Sequence, residues 1–543
     1  MKNTSTIIIF LHLILICSSC DKFLETQPQD FLSPDTYYRD EEEIKSALAG
    51  VYVTLGSNFT YGRFMVVDGA MDDLGYWNQS EANIIDRLAS WNYTSAQPQI
   101  NGMWYKLYQG IERANVLLEN IHRAVLDPVV QSRYEGEIRF LRAYYHYLLA
   151  DLWGDVPVRL KPTAAATDVN IEQTSAREVM EMAVDEIEQI IEAGQLLPAS
   201  TYAHSSRVTE TVAAGILARI YLKLAGEPFK IGGAYAKSLY WAQEVEKSGM
   251  HSLNPDYDQI FKNHSQDLYD TDYRESMWEA EFSGNSATDP GKDDKYSWIG
   301  VTNGIICYDD SDDLGYSYGY IRIRLKLWDL FDETDKRKYR SIAPHRYNVT
   351  DNTKYNEKLT TFTAIADRCA AKWRREEETL KPKDKNFNAT NFPILRYSDV
   401  LLMIAEAENE INGPTETALN AINAVRQRAG VQLYSLAADP DKIAVRGQDD
   451  FRQIVRDERA RELCFEGLRK HDLIRWGIFE TAMQEAAAEP FLAANTGNGR
   501  TASASQRTTM AAIASKTTEK YKLFPIPQKE LNLNNKIKQN RFW

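Results

Sequence analysis

Glu458 and Glu462 stand one helical turn apart in the run FRQIVRDERARELCFEGLRKHDLIRW (451–476). Two carboxylates at a set separation are the minimal equipment for general acid–base or glycosidic chemistry. Their setting points elsewhere. At 3.6 residues per turn Phe451, Ile454, Val455 and Phe465 share one face, and both glutamates fall in the middle of it. A helix that buries this face buries two charges, which persist only when paired and hydrogen-bonded. Arg459 and Arg461 lie beside them, with Arg142 and Arg426 on other expected helices, so a structural ion-pair network is the favoured reading. No HExxH, Walker or dinucleotide motif occurs, and the eight histidines are scattered. Sequence does not exclude a glycosidase pair among 77 acidic residues.

A second chemistry is suggested by aromatic residues. Tyr316, Tyr318 and Tyr320 alternate with Ser317 and Gly319, so an extended chain puts three phenol rings on one side. Tyr296, Trp298 and Tyr308 lie close by in sequence. The apolar C–H face of a pyranose stacks on such rings while its hydroxyl rim meets carboxylates and amides, here Asp309, Asp310, Asp312, Asp313 or Asn303. The segment Asp68 to Asn78 (DGAMDDLGYWN) is a second candidate. No helical stripe claims Tyr76 and Trp77, so a loop-borne platform is expected there, with Asp72, Asp73, Asn78 and Arg87 as hydrogen-bonding groups. Core packing is the competing reading for each ring. The acidic run 309–313 lacks the spaced ligands of a calcium loop and reads as a solvated turn; no cofactor is expected.

The elements that must position these groups are mainly helical. Trp104, Leu107, Tyr108, Ile111, Ala114, Leu118 and Ile121 form one stripe, and Ile138, Leu141, Tyr145, Leu148, Leu149 and Leu152 another. Phe140, Tyr144 and Tyr147 make the second helix apolar on its opposite side too, which requires neighbours on two faces. Ser175 with Glu178 predicts a capping box opening a helix over 176–193, followed by helices near 209–225 and 235–248. Asn412-Gly413-Pro414 separates helices near 396–411 and 415–429, with Gly430 as a left-handed stop. Between 250 and 395 helical periodicity fades and a loop-rich region with short strands is expected.

Lys2 precedes an apolar run from Ile7 to Cys17, about eleven residues, which matches a signal peptide and is too short to span a bilayer. Ser18-Ser19-Cys20 follows as in a bacterial lipoprotein cleavage site, although Cys17 stands where leucine is usual. Cys20 is thus the expected acylated residue after removal of 1–19. A net charge of −14 argues against nucleic acid and against electrostatic attachment to anionic lipid, while neutral sugars remain compatible. Cys307, Cys369 and Cys464 allow at most one disulfide, and Cys464 reads as a buried free thiol.

The run RDERARELCFEGLRKHDLIRWG (456–477) resembles the closing signature of the RagB/SusD family of nutrient-binding lipoproteins. Residues 103–118 (MWYKLYQGIERANVLL), 135–157 (EGEIRFLRAYYHYLLADLWGDVP), 392–409 (FPILRYSDVLLMIAEAEN), 420–430 (NAINAVRQRAG) and the tail FPIPQKELNLNNKIKQNRFW resemble further family blocks, in the family's order. The resemblance implies a helical scaffold with tetratricopeptide-like helix pairs, one compact body divided as 20–249, a loop-rich 250–395 and 396–543. It also implies a lipid-anchored protein of the outer membrane, facing the exterior, that binds a glycan and passes it to a SusC-type TonB-dependent transporter without catalysis. A peptide ligand, a lipoprotein glycosidase and a helical-repeat scaffold without small ligand are the alternatives.

Overall fold

The computed structural model describes residues 37–543 apart from 65–66, 68–69, 80–82, 166–167, 287–294, 309–311, 348–359, 362–363 and 493–498. The signal segment 1–19, Cys20, Asp68, Asp309 and Asp310 lie outside the described residues. The principal helices are α1 (Glu41–Tyr52), α2 (Pro98–Asn120), α3 (Pro128–Trp153), α4 (Ala176–Glu192), α5 (Glu210–Ala225), α6 (Ala234–Lys247), α7 (Tyr397–Asn412), α8 (Glu416–Ala429) and α9 (Gln448–Leu463). Local chemistry sets their ends. Proline occupies the first turn of α2 and α3, where its missing N–H costs nothing. Ser175 and Glu178 form the reciprocal capping box of α4, and Thr209 and Thr415 cap α5 and α8. Gly430, at φ 73°, ends α8 in the left-handed region that a side chain rarely enters.

Successive helices pack in series from α2 to α6, α6 then meets α7, and α7 packs against both α8 and α9. The expected two-faced helix is α3. Its one side meets α2 and the other α4, and Phe140 and Tyr144 lie edge-on to Trp278 at ring separations of 5.6 and 4.9 Å. No helix among the described residues is long and apolar enough to cross a membrane.

The strands are short, and four of them pair across long stretches of sequence. They are β1 (Gly75–Trp77), β2 (Ser276–Ala280), β3 (Ile321–Ile323) and β4 (Phe392–Arg396). β1 runs antiparallel to β3 with Tyr76 opposite Arg322 and Trp77 opposite Ile321, and β2 runs antiparallel to β4. Cys307, Cys369 and Cys464 are buried free thiols.

α9 carries the two glutamates, and both are fully buried. Glu458 lies 2.7 Å from each of Arg337, Arg426 and Arg461. Glu462 is held by Arg428 at 2.7 Å, Arg396 at 3.0 Å and Arg337 at 3.1 Å. Burial alone would raise the Glu458 carboxyl, but Arg337, Arg461 and Arg426 outweigh it and hold it at about 2. Two expected partners are engaged elsewhere. Arg459 points to the other side of α9 and pairs with Asp399 and Asp472, and Arg142 reaches Glu186 on α4 and Asn115 on α2. The helix ends at Leu463, so Phe465, at φ 65°, is buried from the turn that follows and does not extend the helical stripe.

Candidate ligand-binding site

Neighbouring backbone claims the hydrogen bonds of the strip 316–320 on one side, and Gly319, at φ 53°, bends it. Ser317 and Cys307 exchange N–H to O bonds at 2.7 and 3.0 Å, Tyr318 N–H donates to Val301 O, and Tyr320 N–H donates to Thr302 O. Ser317 and Gly319 are therefore buried, and Tyr316, Tyr318 and Tyr320 stand half-exposed on the opposite side. The rings form a continuous terrace. Tyr308, 44% exposed, lies 5.5 Å from Tyr316, Tyr316 is edge-on to Tyr318 at 4.8 Å, and Tyr318 stacks on Tyr320 at 4.6 Å. The Tyr318 hydroxyl donates to Asn386 Oδ1 at 2.9 Å, which fixes that ring's tilt. Burial raises the Tyr318 and Tyr320 phenols above their ordinary value, so both stay protonated hydroxyls at neutral pH.

Trp77 ends the terrace from beneath. Its ring centre lies 5.0 Å from that of Tyr320, yet the side chain has no exposed surface, and its indole N–H donates to Asp86 at 2.7 Å. Tyr76 is equally buried and donates to Ala366 O at 3.2 Å. The expectation of a loop-borne platform at 76–77 is thus corrected: pairing of β1 with β3 turns this segment into core. Asp73 is buried too. It accepts from Arg469 at 2.8 and 2.9 Å and from Lys326, and these cations keep it well below the ordinary carboxylate range despite burial. It is a structural anchor with no free face for a hydroxyl. Asp72 accepts from the Leu74 and Gly75 amides, and burial beside Asp73 pushes it up to about 8. Asn78 is half-buried with its backbone N–H on Tyr320 O, and Arg87 is exposed on the short helix Ile84–Ala89.

Trp298 is half-buried at the start of the short helix Ile299–Thr302. Its edge meets Phe387 at 5.1 Å, and one face is covered by Arg63, whose guanidinium carbon lies 3.6 Å from the ring centre. Arg63 carried no sequence signal, being one arginine in a run without periodicity. Of the anticipated polar groups, Asn303 is buried, Asp312 accepts from the Lys383 amide at 2.7 Å, and Asp313 is exposed. Among the described residues no group of three or more His, Cys, Asp or Glu side chains gathers as metal ligands. The site is a partly exposed aromatic surface with hydroxyl and amide edges, suited to stacking on and hydrogen-bonding a polar, flat-faced ligand.

Comparison with known proteins agrees with this architecture. The SusD family matches residues 260–543, and a family described as starch-binding and associating with the outer membrane matches residues 22–222. A SusD-like protein of Formosa agariphila is 24% identical over 517 residues, covering 88% of this chain and 91% of its own length. A SusD homolog from Bacteroides thetaiotaomicron of known structure superposes with a TM-score of 0.81 at 27% identity, over 94% of this chain and 98% of that one. A laminarin-binding SusD-like protein superposes with a TM-score of 0.70 at 21% identity, over 93% of this chain and all of the other. With more than half its length matched and the same helical scaffold, the chain belongs to the SusD family.

Proposed function

We propose that this protein is a cell-surface lipoprotein that binds a glycan and hands it to a SusC-type TonB-dependent transporter in the outer membrane, without making or breaking a bond. The observation that carries the reading is the terrace Tyr308–Tyr316–Tyr318–Tyr320: four neighbouring rings, all partly exposed, over the buried Ser317 and Gly319. Relatives support it by their named roles, among them laminarin binding, surface glycan binding and starch binding with outer-membrane association. Ser18-Ser19-Cys20 supplies the expected anchor, acylated on Cys20.

Calorimetric titration of the processed protein against a panel of oligosaccharides and peptides tests the ligand. A glycan that binds the parent protein should bind Tyr308→Ala/Tyr318→Ala weakly or not at all; no binding by any glycan, or equal binding by the variant, overturns the reading. Cys20→Ala should release the protein from the membrane fraction, and fatty-acid labelling that survives this change would refute the anchor. Affinity purification from solubilised outer membranes should bring down a large TonB-dependent barrel, whose absence would remove the transporter from the proposal.

A further inference from the structure

Arg63, half-buried, differs from the ion-paired arginines of the core. Arg337, Arg340, Arg375 and Arg396 each hold a carboxylate at 2.6–3.1 Å. Arg63 has no ion pair among the described residues, and its Nε is shielded from water without a hydrogen-bond partner. The nearest acid that acts on it, Asp86, already accepts from the Trp77 indole and the Asn83 amide. Asp384, near the far end of the terrace, is likewise committed to the amides of Asn386 and Phe387. Burial pulls the Arg63 guanidinium down to about 10, against the weaker opposing effects of Tyr320, Asp86 and Tyr318, so it remains a cation at neutral pH. At the Tyr316 end a second cation, the exposed Lys385, sits 4.5 Å over the ring. An aromatic surface flanked by two positive groups thus stands on a chain whose net charge is −14.

We infer that the terrace selects an acidic saccharide, with a carboxylate or sulfate ester of the ligand paired to Arg63 and its sugar ring packed among Tyr316, Tyr318 and Tyr320. The inference rests on the glycan-binding reading above and narrows it. A half-desolvated guanidinium lacking a partner gains charge-assisted, bidentate hydrogen bonds from a planar or tetrahedral oxyanion. A neutral sugar leaves that cation unpaired, so discrimination arises from the cost of the wrong ligand as well as the gain from the right one. Stacking on Trp298 holds the guanidinium in place beforehand, which reduces the entropy lost on binding.

The test uses the processed full chain and four probes: oligogalacturonate for the carboxylate, a sulfated galactan oligosaccharide for the sulfate ester, and neutral galacto- and gluco-oligosaccharides. One acidic probe is expected to bind at least about tenfold more tightly than its neutral counterpart, with affinity falling as salt rises. Which acidic probe binds distinguishes the two anions. Arg63→Met, which keeps the stem over Trp298, should lower the acidic-to-neutral affinity ratio by about tenfold or more, and Arg63→Lys should retain part of it. The melting temperature of Arg63→Met should match or exceed the parent's, because the charge removed has no partner to strand. Binding of neutral probes alone, or an unchanged ratio in Arg63→Met, overturns the acidic selectivity while leaving glycan binding intact. A large loss of melting temperature in that variant makes Arg63 a structural cation and also overturns it. Binding of none of the four probes, with neutral glycans failing in the wider panel as well, overturns the glycan reading itself.

Discussion

The core beneath α9 and the terrace around Tyr318 both combine arginine with aromatic rings, and they use the pair in opposite ways. Under α9, Arg337, Arg396, Arg426 and Arg428 are each ion-paired with Glu458, Glu462 or Glu275 in the buried interior. Beside the terrace the Arg63 guanidinium lies on an indole without an ion pair among the described residues. A compensated charge holds elements in register; an uncompensated one beside half-exposed rings is available to something outside the chain. Perturbed ionisation alone does not separate the two regions, since burial displaces groups in both. Pairing does.

The comparison can be broken most forcefully at Glu462. Glu462→Ala removes from the interior a carboxylate shared by Arg337, Arg396 and Arg428 and should cost roughly 3–5 kcal/mol, read as a collapse of the denaturation midpoint. The same network predicts acid sensitivity. The folded Glu458 carboxyl titrates near 2, below its ordinary 4.5, so its contribution is fully present above about pH 4.5 and is lost as pH falls through 2. A midpoint unmoved by Glu462→Ala, or flat between pH 5 and 2, contradicts a charge-locked core. Next in size is Trp77→Ala. It removes a fully buried indole and leaves Asp86 with the Asn83 amide but without the indole N–H, so about 3–5 kcal/mol of stability should go. Near-parental melting combined with lost ligand affinity would return Trp77 to the binding surface. The smallest effect is expected from Tyr308→Ala, because a half-exposed ring contributes little to the fold. Its signature is a loss of roughly 1–3 kcal/mol in glycan affinity, by analogy with bases stacked on aromatic side chains, at unchanged stability. Equal affinity would shrink the terrace to Tyr316–Tyr320.

Local signals in the sequence carried the helices well. The Ser175–Glu178 box, the Thr415 cap and the Gly430 stop act within a turn, so the residues themselves announce them. The alternation of Tyr316, Tyr318 and Tyr320 with buried residues was legible from its period of two, although Gly319, at φ 53°, departs from the extended backbone that such a period implies. What depended on distant chain was not legible. Tyr76 and Trp77 look like an exposed loop until Ile321–Ile323 pairs with them from some 245 positions away. The partners of Glu458 and Glu462 include Arg337, Arg396 and Arg428, which stand beside them only after α8, β4 and the segment before Lys338 have packed. Arg142 and Arg459, the plausible neighbours by residue type, serve other carboxylates. Arg63 illustrates the limit most clearly. Its proposed role rests on an ion pair missing among the described residues, and no pattern in a linear sequence encodes that.

The pairing of β1 with β3 also bears on the order in which this molecule becomes itself. The terrace is closed on one side by a ladder whose strands come from the first and middle thirds of the described chain, joined through few residues, whereas the helices from α2 to α6 pack against neighbours much nearer in sequence. Contacts between sequence neighbours form quickly, and those that close long loops form late. The helical stack is therefore expected to assemble first during refolding, and Trp77, Tyr320 and the surface they support among the last. Ligand competence should lag behind the recovery of helical signal, so the protein acquires its grip only after it has acquired its shape.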